Sequence, residues 1–568
     1  MCYLRGLIYA KRNAFDRARD CYKDAVRIDV QCFEAFDQLM RNSLMSPAEE
    51  LAFLEELDFE SIRIDDQSIT QEAAHFTKLL YTTRLSKYAS PATLANATET
   101  LSTHYNLAAN PDLLLTRAET LFTQCRFHET LTITTNILNS QSSRGSLDSN
   151  STDTNASLGH GPSLYPLHVA ALYETGSHNT LYHLSHTLSV NAPHESYTYL
   201  AIGTYYLSTS RISEARRFFS KASLMDPHSA PAWIGFAHTF AAEGEHDQAI
   251  AAYSTAARLF QGSHLPQLFL GMQHLALNNM QLAWEYCLAA FEMSSGSVKQ
   301  EDEDLGSKIF NNANNIGGDP LVLNEIGVIL YHQSNLPAAA KLFNKSLQLA
   351  AELGCNMTAW VATRANLAHA LRRLGRFDEA LIEFDECLRT ATGGSAPASA
   401  FEPGRGMSAF ANLSLGGTNP GPSGAASGYD ERNLIGSIHT SRGLVLLSMS
   451  GRTREAVMAL HEAVRVLGGD AGGGGVAGTL LGRAMEIWAL EQGDQAIGLV
   501  VGGGGNEQWM SRNGGPRRGA RDFSPEHAET EGLVDDEEPR ETSQEEELER
   551  RMDGDADSIL EAALRAAR

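Results

Sequence analysis

Small, apolar and aromatic residues recur along this chain at helical spacing, and the helical stretches themselves recur every 34 residues. Between about Tyr197 and Ala290 three copies overlay. The first carries Gly203, Tyr206, Ala215, Phe219, Ala222 and Pro227; the second Trp233, Ala237, Phe240, Ala249, Tyr253 and Ala256; the third Gly271, Ala283, Cys287 and Ala290. Each copy predicts two antiparallel helices. In the second, helix A spans about Ala232–Ala242 and helix B about His246–Leu259, with Gly244 in the turn and Asp247 placed to begin helix B. Gly or Ala at the eighth position and Ala at the twentieth (Ala215, Ala249, Ala283) let the two helices approach closely. Larger side chains there would overpack the contact at a cost of roughly 1–3 kcal/mol. The aromatic at the twenty-fourth position fills the wedge toward the next copy. Pro227 ends its helix B, because it lacks an N–H and clashes with the preceding turn.

The pattern extends outward from this anchor. Gly327, Ala339, Phe343 and Ser346 repeat it, as do Ala368, Ala380, Phe384 and Cys387, and Gly443, Ala456, Leu460 and Ala463 with one extra residue in the turn. Near the start, Gly6, Tyr9, Ala18, Tyr22 and Ala25 match. Residues Cys32–Leu57, Leu114–Leu138 and Leu164–Val190 are helical but degenerate. A 34-residue period with these offsets is the tetratricopeptide-repeat (TPR) pattern. One such hairpin cannot bury its apolar face alone, so neighbours stack. The fold class is therefore all-α: a TPR superhelix, an α-solenoid, with disordered insertions and a disordered acidic C-terminal tail. The expected divisions are 1–65 for the first repeats, with a truncated array start; 66–138 for divergent repeats; 139–163 for a Ser/Asn/Gly-rich linker; and 164–293 for regular repeats. An insertion at 294–318, repeats at 319–391, a disordered insertion at 392–430, a last repeat at 431–467 and a Gly-rich, then acidic tail at 468–568 complete the series. A short amphipathic helix is compatible with Asp557–Ala567.

Charge sharpens the picture. The 568-residue chain has a formal net charge of −24. Half of that excess falls from Asp522 onward, where 17 acidic residues face 5 basic ones. The repeat body is only mildly acidic, which disfavours nucleic acid as a partner, since phosphate binding needs clustered Lys and Arg. The seven cysteines are scattered without a CxxC pair, and Cys287 and Cys387 sit at repeat core positions. They read as buried thiols of a reducing compartment. No apolar run reaches the length of a membrane span, and Met1–Tyr9 runs straight into repeat geometry rather than forming a signal peptide. The expectation is an intracellular soluble protein.

No catalytic constellation emerges. The runs Gly472–Gly475 and Gly502–Gly505 lack the Lys-Ser/Thr that a phosphate cradle requires. His183 and His186 share a helix face without a third ligand, so no metal or other cofactor is expected. Glu243, Glu245, His246 and Asp247 read as turn and cap chemistry. A partner would instead meet the concave face, lined by helix A positions. Counting by repeat phase, the candidates are His238, Leu268, Met272, Asn324, Tyr331, His332, Asn366, His369, Arg372 and Arg373. Asn side chains can donate to and accept from a peptide backbone, and Arg can meet carboxylates.

Several stretches carry polar residues that packing does not demand. Pro231–Gly271 reads PAWIGFAHTFAAEGEHDQAIAAYSTAARLFQGSHLPQLFLG. Its EHDQA turn and HLP segment, together with Leu4–Leu39, Tyr205–Ala222 and Asp319–Gln333, resemble the cell-division-cycle-sixteen-type TPR subunit of the anaphase-promoting complex, or cyclosome. The resemblance covers about Met1–Asp58 and Leu164–Leu388, and Leu434–Leu467 loosely. It implies a non-catalytic scaffold in a ubiquitin ligase that marks mitotic substrates, present in nucleus and cytoplasm, without a membrane or nucleic-acid partner. It implies contact with sister TPR subunits and with a small subunit whose acetylated N-terminal Met enters the concave face. Homodimerisation in this family uses N-terminal repeats; this sequence opens at Met1 inside a repeat, and that property stays open. The alternative is a TPR co-chaperone adaptor gripping C-terminal chaperone peptides. A sugar-transferase-type enzyme with appended repeats would need a catalytic domain, for which Gly468–Arg568 is too low in complexity.

Overall fold

The computed structural model describes residues 1–12, 14–62, 67–87, 91–145, 162–295, 318–391, 426–449, 451–467 and 474–501. Among these residues all regular structure is helical. Most successive helices pair as hairpins: α1 (Cys2–Lys11) with α2 (Phe15–Ile28), α5 (Gln67–Arg84) with α6 (Pro91–Thr103), and α7 (Pro111–Thr123) with α8 (Phe127–Gly145), while between them α3 (Phe33–Arg41) packs on α2 and α5 and is followed by α4 (Pro47–Glu56). Then come α9 (Leu164–Glu174) with α10 (His178–Asn191), α11 (Ser196–Ser208) with α12 (Ile212–Met225), α13 (Ala230–Ala242) with α14 (His246–Leu259), and α15 (Leu265–Ala276) with α16 (Met280–Ser295). After the insertion, α17 (Pro320–His332) pairs with α18 (Leu336–Glu352), α19 (Val361–Arg373) with α20 (Phe377–Ala391), and α21 (Ala426–Ser448) with α22 (Thr453–Leu467). A last helix, α23, spans Gly474–Val501. Residues Met1–Ala489 form one compact unit; Leu490–Arg568 form a second, described only as the end of α23.

The small-residue phases behave as the spacing requires. Ala18, Ala215, Ala249, Ala283, Ala339, Ala380 and Ala456, all at the twentieth position, are fully buried. A Cβ at Gly327 would lie 2.7 Å from the Phe343 ring, and one at Gly271 would lie 2.5 Å from Cys287 Sγ. The glycine thus makes room for the residue at the twenty-fourth position of its own hairpin. Phe219 also reaches forward: a Cβ at Gly235, in the next hairpin, would meet its ring at 2.7 Å. One ring therefore occupies both the intra-repeat contact and the wedge between repeats.

The turns inside the hairpins share a left-handed residue. It is Gly176, Ser210, Gly244 and Asn278 in four hairpins 34 residues apart, and Ser43, Cys125, Ser334, Gly375 and Gly451 elsewhere. Gly carries this conformation without strain, whereas Ser and Asn pay a steric cost. Helix starts draw on short polar side chains: Ser46 and Glu49 form a capping box on α4, and Asn110 and Asp319 cap α7 and α17 ahead of Pro111 and Pro320.

Three boundaries differ from the expectation. α8 runs to Gly145, inside the expected linker, and α21 begins at Ala426, inside the expected insertion. The largest correction is α23, which lies in a stretch assigned by its glycines to the unfolded tail. Ala477 and Ala484 are buried along it at helical spacing, so a seam of small residues holds a helix that glycine content alone does not suggest. The rest of the insertions at 296–317 and 392–425, the Gly502–Gly505 run, the acidic tail and the Asp557–Ala567 segment lie outside the described residues.

Candidate functional site

The polar residues of the EHDQA and HLP segments join neighbouring repeats. Arg216, on α12, lies 4.0 Å from the centroid of the Phe240 ring and pairs with Glu243 and, at 3.9 Å, with Glu245. His246 Nδ1–H donates to Gln273 Oε1 of the next hairpin at 2.8 Å. His264 Nε2–H donates to the buried Asp319 carboxylate at 2.8 Å, while the other Asp319 oxygen caps α17 through the Leu321 N–H. Glu243, Glu245 and His246 thus serve inter-repeat contacts rather than turn capping alone.

The concave candidates divide into an inner polar row and an outer rim. In the inner row Asn366 Nδ2 donates to Asn324 Oδ1 at 3.3 Å, and Asn324 Nδ2 donates to Glu325 Oε1 at 2.8 Å. All three side chains are buried. Glu325 Oε2 has no hydrogen-bond partner. Burial raises the Glu325 carboxyl to about 7, against the opposing hydrogen bond from Asn324. Glu325 was not among the residues singled out by sequence; it stands at the sixth position of its repeat, the phase that Asn366 occupies in the next, and that shared phase was the available signal.

His238 and His369 are half-buried on their own helices A. His238 Nδ1 and the Tyr253 hydroxyl share a hydrogen bond, and Phe269 meets the His238 ring edge-on at 4.8 Å. His369 lies edge-on to Phe384 at 5.3 Å. Burial lowers both rings to about 4, with Arg372 adding to the effect at His369, so both are neutral at neutral pH. Toward the rim, the Arg373 guanidinium lies over the Tyr331 ring at 4.7 Å and donates to the Tyr331 carbonyl at 3.5 Å. Arg372 is half-buried with an unpartnered Nε, Met272 is half-buried, and His332 is exposed beside Tyr331.

Leu268 is the exception: it is wholly buried in the hydrophobic core and lines no groove. The reason lies in how closely its neighbours approach. Leu200, Leu268, Asn324 and Ala365 hold the fifth position and are buried where neighbouring helices close over it, whereas Ile234 at the same phase is half-buried. Asn324 occupies the same seam but carries an amide into it. Among the described residues no three His, Cys, Asp or Glu side chains converge within metal-binding range, and His183 and His186 are exposed. No helix among them is long and apolar enough to cross a membrane.

Tetratricopeptide-repeat profiles match residues 1–31, 200–264 and 320–394. The crystal structure of the APC/C hetero-tetramer Cut9–Hcn1 holds a chain that superposes with a TM-score of 0.58 at 37% identity, covering 85% of this chain and 75% of that one. The chain belongs to the Cut9/CDC16 family. Among curated members, fission yeast (Schizosaccharomyces pombe) anaphase-promoting complex subunit cut9 is 42% identical over 69% of this chain and 52% of its own length. The human cell division cycle protein 16 homolog is 30% identical over 67% and 54%. The chain spans about half the length of the curated Cut9/CDC16 relatives it matches.

Proposed function

We propose that this chain is a scaffold subunit of an anaphase-promoting complex, a ubiquitin ligase, and that it makes and breaks no bond itself. The observation that carries this reading is the likeness to Cut9, a subunit of that complex crystallised with Hcn1. The work of such a subunit is geometric: stiff hairpins hold other subunits at fixed positions, in the nucleus and cytoplasm of dividing cells. The ligand of the concave face is a small subunit entering with an acetylated N-terminal Met. The chemistry of the inner row supports this. Asn366, held from behind by the buried Asn324, offers an amide donor and acceptor to a blocked peptide terminus, which carries no ammonium to be neutralised. Arg372 and Arg373 stand farther out, where side chains following the terminus would pass.

Titration of an acetyl-Met peptide tests the assignment. Asn366→Ala combined with Arg372→Ala is expected to weaken binding about 5- to 150-fold, on the order of 1–3 kcal/mol for lost hydrogen bonds to buried and charged groups, with the far-ultraviolet circular dichroism unchanged. Wild-type affinity in the folded double variant would remove these residues from the ligand contact.

A further inference from the structure

The superhelix touches itself. The Gly262 N–H, in the loop between α14 and α15, donates to the Ser43 carbonyl at 2.7 Å, although the two residues lie five hairpins apart. The fit is tight: a Cβ on Gly262 would stand 1.9 Å from the Met45 carbonyl oxygen. Around this point Leu259 packs into the core cluster of the first hairpins, and the Phe15 ring meets His228 edge-on at 5.3 Å. Farther along, the Asn356 N–H donates to the Gln124 carbonyl at 2.9 Å, again across successive turns of the superhelix. Cys125 and Cys355 adjoin that second bond and are 5% and 8% exposed. The segment Phe260–His264 is therefore shared. One end locks onto the α3–α4 turn, and the other, through His264, holds the Asp319 cap that begins α17 and its inner-row Asn324.

We propose that these contacts form a lock that opens and closes as one: opening admits a ligand to the concave face, and closing holds it there. Two backbone hydrogen bonds, with the Leu259 and Phe15–His228 contacts beside the first, are all that join hairpins so far apart in sequence, whereas each hairpin core is closed over its whole length, so the seam opens before any repeat unfolds. Gly262 is a positioning residue: only hydrogen fits between its Cα and Met45. The claim about admission rests on the ligand reading given above; the lock itself does not.

The native thiols report on it. In the full chain, alkylation with iodoacetamide followed by mass spectrometry reads Cys125 and Cys355 at the seam against Cys287 and Cys387 inside repeat cores, which are 1% and 0% exposed. Gly262→Ala is expected to speed labelling of Cys125 and Cys355 several-fold and leave Cys287 and Cys387 unchanged. His228→Ala, which removes the Phe15 contact without inserting an atom, should give the same pattern more weakly and stands in if Gly262→Ala does not fold. Equal acceleration at all four thiols, or none at Cys125 and Cys355 in either folded variant, overturns the lock. Saturating acetyl-Met peptide should slow labelling of the seam pair in the wild-type chain, since a ligand that needs the closed state stabilises it. Bound peptide with unaltered labelling overturns the admission claim. Absence of peptide binding by the wild-type chain instead overturns the ligand reading, and the admission claim with it, while the two variants still decide the lock.

Discussion

At the scale of single residues, the array is a set of fixed phases with local exceptions, and the exceptions are testable. Ser334 holds the left-handed turn position between α17 and α18 with φ +63° and is exposed. Ser334→Gly relieves steric strain of roughly 1–2 kcal/mol and loses part of that to unfolded-chain entropy. The expected net effect is about 0.5 kcal/mol of stabilisation in urea unfolding; a destabilised variant would count against strain at this turn. Glu325 makes a pH prediction. In the unfolded chain its carboxyl ionises near the ordinary value of 4.5, and in the fold near 7. Between those values the folded chain holds more protons, so stability falls as pH rises through that window. Glu325→Gln removes this term, and its stability relative to wild type should grow from pH 5 to pH 8 by on the order of 2 kcal/mol. A parallel pair of pH profiles would mean the carboxyl is solvated. Most core residues were legible because small and aromatic residues repeat. Glu325 and Leu268 were not, because the phase of a residue says which way it points, whereas burial depends on how tightly neighbouring helices A close over it.

At the scale of the element, the hairpin is set by one glycine-to-ring contact and one alanine seam. Gly271→Leu would drive a branched side chain into Cys287, 2.5 Å from where its Cβ must stand, with the Ala283 carbonyl 3.3 Å away. The expected result is a melting temperature lower by several degrees in differential scanning calorimetry, since overpacking costs about 1–3 kcal/mol. An unchanged melt would show that α15 and α16 do not meet in this register. The regular hairpins are readable in advance because both helices must contribute a small residue at a fixed offset. The helix over Gly474–Val501 escaped that logic. Its glycines read as a linker, but the Ala, Leu, Met, Glu and Gln between them are strong helix formers, and Ala477 and Ala484 are buried at helical spacing. The ends of α8 and α21 escaped for a related reason: Ser, Asn and Gly are weak helix formers, so composition places the boundaries short of where the helices run.

At the scale of the whole chain, periodicity implies a superhelix and nothing about its business. The polar residues laid over it carry the family, and the structure gives them employment. Arg216, His246 and His264 tie one hairpin to the next, and the Phe260–His264 segment ties one superhelical turn to another. Membership of the Cut9/CDC16 family turns these joints into a proposal about assembly: a scaffold whose inner polar row meets one small partner while its outer faces meet larger ones. Affinity purification of the tagged full-length chain from mitotic cells, with mass-spectrometric identification of the co-purifying proteins, tests that claim most directly. The account predicts recovery of the other anaphase-promoting complex subunits in stable proportion to the bait. Recovery of chaperones without ligase subunits would contradict it.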